Sequence, residues 1–499
     1  MKGNKVCIIG AGVAGLATAL ALAKKGFQVV IVEKNSHPGG RCGQLIHEGH
    51  RFDLGASIFL MPSIYKDVFE YLELDLEKDL PSTPLTNLYK MFFADGIQLD
   101  FTTDVAAMKS QLESIEPGSY EKADIYIKKG YTLFKKAYAR LLGRNFTNWA
   151  QFINFSNMAL LFKLKTHVPH QRYIKRFFKD KHLQTAFTFQ NIYVGQNPLT
   201  APALFSMLPA AELSEGSLVP KGGMFAIVSL LEKKAIEHGV EIQYNKPVSS
   251  IIRKNYHVKG IAFEDGSQLD CDLLVANADL PYVYESLLKD SFITQKLQHK
   301  EYACSAIVFH WGLNQKYAGF GHHNVFFSSK YEKNLHSIFQ ENAMGKEPSF
   351  YVYAPTALDP ETAPAGQDTI SVVVPTGHLS PKNREEWNMY KQLARTSILK
   401  RLKAEGFEHI DEHIKFELNS TPRTWEKAFN VSKGAIFGSI NHSILQMGYF
   451  RPHNKHQLID NMYFTGGSTH PGCGVPLVLL SAKLTSERIL KDHCPPCNS

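Results

Sequence analysis

The sequence predicts an α/β fold with two interleaved domains, and three observations predict it. Near the start of the chain, an apolar run at 6–9 is followed by a glycine-rich turn and an alanine- and leucine-rich stretch. Near the end, residues 461–490 repeat this order of strand, turn and helix. Between them, residues 241–278 alternate between short β-like runs and turn residues. Strand–turn–helix units build parallel sheets with helices on their faces, which predicts the α/β class.

Composition limits the class of protein. The 499 residues are 44% hydrophobic and 20% charged, which excludes a disordered, collagen-like or coiled-coil chain. A mean hydropathy of -0.20 excludes a polytopic membrane protein. The net charge of +8 is small for this length, and an anionic membrane surface or cofactor accounts for it without a nucleic acid. We therefore predict no nucleic-acid partner.

The seven cysteines are few and scattered, at positions 7, 42, 271, 304, 473, 494 and 497. An odd, widely spaced set does not suit a disulfide framework and indicates a reducing compartment. Cys494 and Cys497 are the one close pair, and we expect a terminal tail there, with a redox or metal pair as the alternative. No second pair completes a zinc site, so no metal is predicted.

The N-terminal unit has the spacing of a dinucleotide-binding motif. Val6 to Ile9 form a short apolar run, as a buried parallel strand requires. After it, Gly10 permits a tight turn, Gly12 lets the backbone approach a pyrophosphate, and Gly15 allows close packing of helix and strand. Glu33 ends the next apolar run, where its carboxylate can accept hydrogen bonds from ribose hydroxyls. We therefore predict a Rossmann-like domain that binds a dinucleotide.

Two further segments discriminate among dinucleotides. Glu33 disfavours the phosphorylated ribose of NADP, which leaves FAD and NAD. In Gly39-Gly40-Arg41 the glycines let a loop wrap the cofactor, and the arginine offers a fork of donors to the pyrophosphate. With Asp53-Leu54-Gly55-Ala56-Ser57, this segment resembles the N-terminal signature of the FAD-containing amine-oxidase and carotenoid-desaturase superfamily. The resemblance implies that the second loop lies near the flavin ring; a turn or cap is the alternative role for Asp53.

The C-terminal unit carries a more specific resemblance. Its turn reads Gly466-Gly467-Ser468-Thr469-His470-Pro471-Gly472 and then Gly474-Val475-Pro476, before a helix predicted over 477–490. The positive N-terminus of that helix could face the flavin pyrimidine, where negative charge develops on reduction. This run resembles the C-terminal motif of bacterial phytoene-desaturase-type carotenoid desaturases. Many other flavoproteins have an acidic residue at the place of Gly467, so the desaturase interpretation is favoured over an amine oxidase.

The motifs and the resemblance together predict FAD as the cofactor and assign its binding residues. The resemblance places the backbone of Val248 beside the adenine, and a buried strand over 272–278 completes the FAD domain. The predicted cofactor-binding residues are Gly10, Gly12, Val13, Ala14, Gly15, Glu33, Lys34, Gly40, Arg41, Gly55, Ala56, Ser57, Val248, Asn277, Gly466, Gly467, Gly474, Val475 and Pro476.

The predicted domains interleave along the chain. The resemblance implies a discontinuous FAD-binding domain formed by residues 1–75, 220–285 and 425–490. Residues 76–219 and 286–424 form an α+β substrate-binding domain on a mixed or antiparallel sheet, because they hold runs rich in β-branched and aromatic residues. Strands are predicted at 91–93, 305–310, 350–353 and 369–374, helices at 121–142 and 387–403, and a surface turn at His322-His323.

Residues 145–185 combine apolar and basic residues. Apolar positions between Phe152 and Phe162 lead into cations between Lys163 and Lys181. This pattern is typical of an interfacial membrane anchor, and equally of a core helix followed by a solvated face. A substrate drawn from lipid favours the membrane-facing alternative, and with it a cytoplasmic protein bound peripherally to the cytoplasmic membrane.

The resemblance implies FAD-dependent desaturation of a carotenoid. In that reaction an allylic C–H gives hydride to flavin N5 and the neighbouring carbon loses a proton, so the protein supplies orientation and a dry tunnel. No acid–base residue is required; His470 is the one candidate catalytic residue, with a structural, backbone-bonded histidine as the alternative. No second nucleotide motif is visible, so a diffusible acceptor, oxygen or a quinone, is predicted to reoxidise the flavin.

The subtype predicted within the family is C-3,4 desaturation of a 1-hydroxylated acyclic or monocyclic carotenoid. Segments around Tyr193-Val194-Gly195 and 304–313 resemble enzymes acting on C30 or end-modified substrates. Phytoene or diapophytoene desaturation and terminal oxidation remain alternatives. Outside the family, the alternatives are a flavin amine oxidase and a non-catalytic carotenoid-binding protein.

Overall fold

The structure is a computed structural model and describes residues 5–493. Cys494 and Cys497, for which a terminal tail was predicted, lie outside the described residues. The β-strands of the described chain are β1 (Lys5–Ile9), β2 (Gln28–Val32), β3 (Gln44–His47), β4 (His50–Asp53), β5 (Ser82–Leu85), β6 (Asn87–Phe92), β7 (Gln98–Thr102), β8 (Ser217–Pro220), β9 (Glu241–Gln243), β10 (Val248–Lys254), β11 (His257–Phe263), β12 (Gln268–Asp270), β13 (Leu273–Ala276), β14 (Ser305–Leu313), β15 (His323–Phe326), β16 (Phe350–Tyr353), β17 (Asp368–Thr376), β18 (Ile414–Ser420) and β19 (Met462–Phe464).

Helices cover the faces of the sheets and fill the space between them. The α-helices of the same residues are α1 (Val13–Ala23), α2 (Pro62–Tyr71), α3 (Leu76–Asp79), α4 (Val105–Ile115), α5 (Ser119–Ala137), α6 (Trp149–Phe152), α7 (Phe155–Lys163), α8 (His170–Ile174), α9 (Lys181–Ala186), α10 (Met207–Glu215), α11 (Phe225–Glu237), α12 (Leu280–Tyr282), α13 (Ser291–Gln298), α14 (Tyr331–Phe339), α15 (Trp387–Ala404), α16 (Pro422–Phe429) and α17 (Val475–His493).

A five-stranded parallel sheet joins the two ends of the chain. Its order is β19-β13-β1-β2-β9, so only β13 lies between the N-terminal strand β1 and the C-terminal strand β19. Its strands come from all three segments of the predicted FAD-binding domain. Helices α11 and α17 both pack against α1 beside it, with Leu16, Leu20 and Leu480 fully buried. These apolar faces explain why a short uncharged strand and an alanine-rich helix fold here together.

A seven-stranded mixed sheet forms the second layer. Its order is β18-β14-β17-β16-β15-β6-β7, and all pairs are antiparallel except β15 with β6. Every strand comes from the two segments of the predicted substrate-binding domain, and β14, β16 and β17 cover the predicted runs. The predicted helices appear as α5 and α15. The α/β architecture expected from the sequence, with its mixed sheet, is thus the architecture observed.

The surface turn predicted at His322-His323 is wrong. Both side chains are buried, and His323 opens β15, an internal strand of the seven-stranded sheet. Its Nδ1 lies 2.7 Å from the hydroxyl of Tyr351 on the neighbouring strand. The short loop through Gly321 feeds directly into the strand, so the paired histidines belong to sheet structure, and pairing with β6 and β16 is a contact that local sequence does not reveal.

Candidate functional site

One large cavity lies between the two sheets. Its volume is about 1130 Å³, above the roughly 300–1,000 Å³ typical of a pocket for one small ligand. It begins at the loops that follow β1 and β2 and ends on one face of the seven-stranded sheet. Every residue that the sequence assigned to a cofactor lines it, except Gly15. Positions from residue 10 to residue 476 therefore meet around a single space.

The first glycine turn is shaped by close contacts with Asn277. A Cβ on Gly10, where φ is +101°, would lie 2.7 Å from the Asn277 carbonyl oxygen, and one on Gly12 would lie 2.9 Å from its Nδ2. A Cβ on Gly15 would lie 2.2 Å from the Gly10 carbonyl oxygen, so Gly15 allows the close packing of α1 on this turn. Gly15 itself does not line the cavity. Helix α1 begins directly at this turn, so its first N–H groups and positive dipole face the cavity.

Glu33 fixes the end of β2 beside that turn. Its buried carboxylate accepts hydrogen bonds from the backbone N–H groups of Ala11 and Asn35, both at 2.9 Å. These two bonds orient the carboxylate, and the residue also lines the cavity. The geometry leaves lone pairs for a further donor, as ribose recognition requires.

Lys34, Val248 and Asn430 line a further part of the nucleotide region of the cavity. Lys34 donates from Nζ to the Lys427 carbonyl at 2.9 Å and to Asn430 Oδ1 at 3.0 Å. Burial lowers the pKa of Lys34, although Glu33 opposes that shift. Val248 lines the cavity here. Sequence reasoning missed Asn430, because it lies in a left-handed turn after α16 with no motif around it.

Arg41 connects the N-terminal and C-terminal loops. Its Nη1 donates to the Ile436 carbonyl at 3.1 Å, and a Cβ on Gly467 would lie 3.0 Å from its Nη2. A Cβ on Gly55 would lie 2.3 Å from the Arg41 carbonyl oxygen. Gly55 is therefore required for the close approach of the Arg41 backbone, whereas Gly467 leaves room for its guanidinium.

A buried guanidinium shapes the C-terminal loop. Arg451 is 1% exposed and donates to the carbonyls of Gly467 at 2.6 Å, Thr469 at 2.9 Å and Ile440 at 3.1 Å. Desolvation lowers its pKa to about 10, so it remains a cation at neutral pH. Carbonyl dipoles thus solvate this charge and hold the loop in place. Sequence reasoning missed Arg451, because its carbonyl partners come from separate turns.

His470 lies outside the large cavity. Its Nε2 donates to the Arg144 carbonyl at 3.0 Å, and its ring meets Phe146 edge-on. Burial lowers the pKa of His470 to about 4, so the ring is neutral. These contacts match the structural alternative for this histidine, which ties the C-terminal loop to the segment after α5.

Asp53 caps a helix. Its carboxylate accepts the backbone N–H groups of Met224 and Phe225, each at 3.2 Å, at the start of α11. Burial raises its pKa to about 6, against the lowering effect of those two bonds. The cap fixes the following loop, in which Gly55, Ala56 and Ser57 line the cavity.

The inner part of the cavity is formed by one face of the seven-stranded sheet. Ala306 and Val308 of β14 lie opposite Pro375 and Val373 of β17 and give it an apolar wall. A few polar side chains interrupt that wall: His310, Tyr351, Tyr353 and Ser371. None of these residues carried a sequence signal, because strand register alone brings them together.

Outside the cavity, residues 145–185 expose large apolar side chains. Phe155 is 92% exposed, and Trp149 and Phe162 are also exposed, whereas Phe152 and Leu160 are buried. Helix α6 packs on a turn at 448–450, which adds exposed Phe450 and, nearby, Ile444 and Leu445. One side of the segment is thus core, and the other is an exposed apolar patch.

Within residues 5–493, no helix combines the length and the apolarity needed to cross a membrane. Nor does this part of the chain bring three or more His, Cys, Asp or Glu side chains into a metal-binding group.

Comparison with known proteins adds independent findings. The family model described as flavin containing amine oxidoreductase matches residues 13–490. The chain is 36% identical to the zeta-carotene-forming phytoene desaturase of Myxococcus xanthus over 491 residues, covering 98% of this chain and 94% of that protein. It is 33% identical to the 4,4'-diapophytoene desaturase (4,4'-diaponeurosporene-forming) of Staphylococcus aureus strain Newman over 498 residues, covering 98% and 99%.

The fold is also similar to that of a solved enzyme. Putrescine oxidase bound to putrescine superposes with a TM-score of 0.62 over 98% of this chain and 99% of that chain. The two sequences are 15% identical, so this likeness concerns the arrangement of the sheets and helices alone.

Proposed function

The chain belongs to the phytoene-desaturase-type carotenoid desaturases within the flavin-containing amine oxidoreductase family, and from this premise we propose that it introduces a double bond into a carotenoid with an oxygen-bearing end group. The family makes it an FAD-dependent oxidoreductase acting on carbon–carbon bonds. The proposal concerns which carotenoid and which bond.

The residues of the nucleotide region fit FAD. The turn at Gly10 and Gly12 is a cradle that a Cβ would fill, and the N-terminus of α1 opens into it, as a pyrophosphate requires. Glu33 would hold the ribose, Val248 the adenine side, and the loops at Gly55 and Gly467 the flavin. When bound, FAD supplies the two-electron acceptor for the reaction.

The observation that carries the proposal is the continuity of the cavity. The same space that the nucleotide loops surround extends along an apolar wall of Ala306, Val308, Val373 and Pro375. A polyene seated there meets no carboxylate or ammonium from this wall, and the wall excludes water from the reacting carbons. The chain's contribution is therefore to orient a hydrophobic substrate in a dry site.

The finer proposal is C-3,4 desaturation of a 1-hydroxylated acyclic or monocyclic carotenoid. Polar side chains among the apolar lining, His310, Tyr353 and Ser371, support an oxygen atom on the substrate near the inner wall. Hydrocarbon substrates are the second candidate, because the relatives in Myxococcus xanthus and Staphylococcus aureus are named as phytoene and diapophytoene desaturases.

Bacterial strains that accumulate different carotenoid precursors test this function. We expect the protein to convert a 1-hydroxylated precursor into a product lighter by two hydrogen atoms and longer by one conjugated double bond, read by mass and absorbance. Conversion of phytoene or diapophytoene alone would support the second candidate. An FAD-loaded protein that oxidises amines and changes no carotenoid would be an amine oxidase, and one that binds carotenoid but leaves the flavin oxidised without air would be a carotenoid-binding protein.

We also propose that the protein works in the cytoplasm, bound peripherally to the cytoplasmic membrane, and passes electrons to oxygen or a quinone. The exposed patch around Phe155 and Phe162 supports the membrane contact, because Lys163 and Lys165 follow it in sequence and Arg140 donates a hydrogen bond to Ser156 on the same helix. Apolar residues beside cations suit an anionic lipid surface.

Vesicle binding tests the membrane contact. We expect Phe155→Ser with Phe162→Ser to weaken sedimentation with anionic vesicles about thirtyfold or more, since the two changes together remove roughly 2 kcal/mol or more of apolar burial. The matched control is Phe292→Ser, which changes a phenylalanine that is 64% exposed on α13. Equal binding by both variants would contradict the proposal.

A further inference from the structure

A row of polar side chains crosses the inner face of the seven-stranded sheet. His310 on β14 is paired with Ser371 on β17, and Ser371 is paired with Tyr353 on β16. Directly paired residues point to the same face of a sheet, and all three line the cavity. Two residues along, the next row holds Val308, Val373 and Tyr351. On β14 and β17 the cavity wall therefore changes from apolar to polar within one step of the pleat.

Within this row, one nitrogen atom is left without a partner. His310 is 2% exposed, and its Nδ1 lies 2.8 Å from the hydroxyl of Ser371. Among the residues that the structure describes, nothing hydrogen-bonds its Nε2. The ring of Phe52 packs against the imidazole at 5.1 Å between centroids and limits its rotation. His310 lines the cavity, and its unpartnered Nε2 lies buried at that wall.

The imidazole is neutral and can serve either hydrogen-bonding role. Burial lowers the pKa of His310 to about 4, so one ring nitrogen carries a proton and the other accepts. The Ser371 hydroxyl can donate to Nδ1 or accept from it, so Nε2 can present either an acceptor or a donor. A hydroxyl group is the simplest ligand that matches both states.

A second polar group on the same sheet face, the hydroxyl of Tyr353, also has a weak hydrogen bond. The hydroxyl of Tyr353 lies 3.5 Å from Asp53 Oδ2, at the outer limit of a hydrogen bond. Tyr353 is paired with Ser371 and thus lies two strands from His310 on the same face. A small oxygen-bearing group at this wall would meet donors and acceptors, whereas a hydrocarbon would leave them buried and unpaired.

We propose that His310 is the specificity-determining residue for the substrate's end group, and that its Nε2 hydrogen-bonds a hydroxyl at the end of the polyene. This inference rests on the proposed function and names the group that the cavity selects. It predicts that the protein favours a hydroxylated carotenoid over the same carotenoid without the hydroxyl by about tenfold or more, the factor that about 1.4 kcal/mol of hydrogen-bond free energy supplies.

The test compares a matched substrate pair in FAD-loaded protein. The pair is a 1-hydroxylated acyclic carotenoid and its parent hydrocarbon, and the measurements are kcat/KM and the dissociation constant from perturbation of the flavin spectrum. We expect His310→Leu to remove the preference by weakening the hydroxylated substrate alone, and His310→Gln to keep most of it. His322→Leu is the matched control, because His322 is equally a buried histidine with an unpartnered nitrogen but does not line the cavity.

Each outcome decides the inference. Equal binding of both carotenoids by the unchanged protein, or a preference that survives His310→Leu, overturns it. Loss of FAD from His310→Leu but not from His322→Leu also overturns it, because the partner of Nε2 would then be the cofactor. If the protein binds the hydroxylated carotenoid selectively and turns over neither, the proposed function fails while the end-group site stands.

Discussion

The two halves of the cavity are built by different means. Around the nucleotide, the surface consists largely of backbone: glycines at 10, 12, 55, 466 and 467 bring main chain close to the ligand, and helix N-termini supply N–H groups. Around the substrate, the surface consists of side chains such as Val308, His310 and Tyr351 that project from one sheet face.

This difference has a physical consequence for each half. A backbone surface tolerates almost no added atom, since the main chain cannot move aside without breaking its own hydrogen bonds. A side-chain surface accepts substitution more readily, because neighbouring rotamers can adjust. Changes in the nucleotide half should therefore abolish binding, whereas changes in the substrate half should alter stability, selectivity or pH dependence.

Gly15→Val should have the largest effect. The added carbon atoms would overlap the Gly10 carbonyl oxygen, which lies 2.2 Å from an ideal Cβ, and Asn277 Nδ2 at 2.7 Å. We expect a loss of about 4 kcal/mol or more in unfolding free energy or in FAD binding. Flavin absorbance after purification and thermal unfolding measure it. Gly321→Ala is the control, because its Cβ meets nothing closer than 3.6 Å. Similar losses in the two variants would contradict the claim that the nucleotide half tolerates no added atom.

Glu212→Gln should change how stability depends on pH. Glu212 is buried behind the substrate half, accepts from the Tyr89 hydroxyl at 3.0 Å, and burial raises its pKa from 4.5 to about 8. The folded state thus holds a proton that the unfolded chain releases above pH 4.5 or so, and stability falls as pH rises towards about 8. Glutamine removes that titration, so as the pH rises from about 4.5 to about 8 we expect the variant to gain about 4 kcal/mol in unfolding free energy relative to the unchanged protein.

Urea unfolding at a series of pH values measures this effect. The control is Glu70→Gln, which changes an exposed glutamate on α2. If the Glu212→Gln variant followed the same pH profile as the unchanged protein, the carboxyl would not be titrating in the folded state as described.

Val308→Phe should act on the substrate and leave the cofactor in place. The larger ring would occupy the apolar wall beside Val373, so we expect kcat/KM for a carotenoid to fall roughly tenfold, with a rise in KM, at an unchanged FAD content. Steady-state kinetics with flavin quantification measures both. Ile307→Leu is the control on the opposite face of the same strand. Loss of FAD from Val308→Phe would show that the two halves are not separable.

Tyr351→Phe should have the smallest effect. It removes a hydroxyl that bonds Ser57 Oγ at 3.0 Å and His323 Nδ1 at 2.7 Å, so one buried histidine nitrogen loses its partner. We expect a loss of about 1 kcal/mol in unfolding free energy. Denaturant titration detects it against Tyr256→Phe, which changes an exposed tyrosine; no difference between them would mean that this network contributes nothing.

Several residues mark the limit of prediction from sequence. The roles of Gly12 and Glu33 can be predicted from the sequence, because they depend on neighbours within one strand, turn and helix. The role of His310 cannot, since it depends on pairing with Ser371 across strands. The role of Arg451 cannot be predicted from the sequence either, because its carbonyl partners lie in two separate loops. The surface turn predicted at His322 and His323 is wrong for the same kind of reason, because the pairing of β15 with β6 and β16 joins residues that are far apart in sequence.

The sequence by itself determined the α/β class, the nucleotide turn, the acid at its correct distance and the family, because these are encoded by local spacing and by motif. Only the tertiary structure decided that both chain ends enclose one cavity, that His470 is bonded to backbone, and that polar side chains meet on the inner sheet face. The physical reason is that local backbone preferences act over a few residues, whereas strand register and packing join residues hundreds of positions apart.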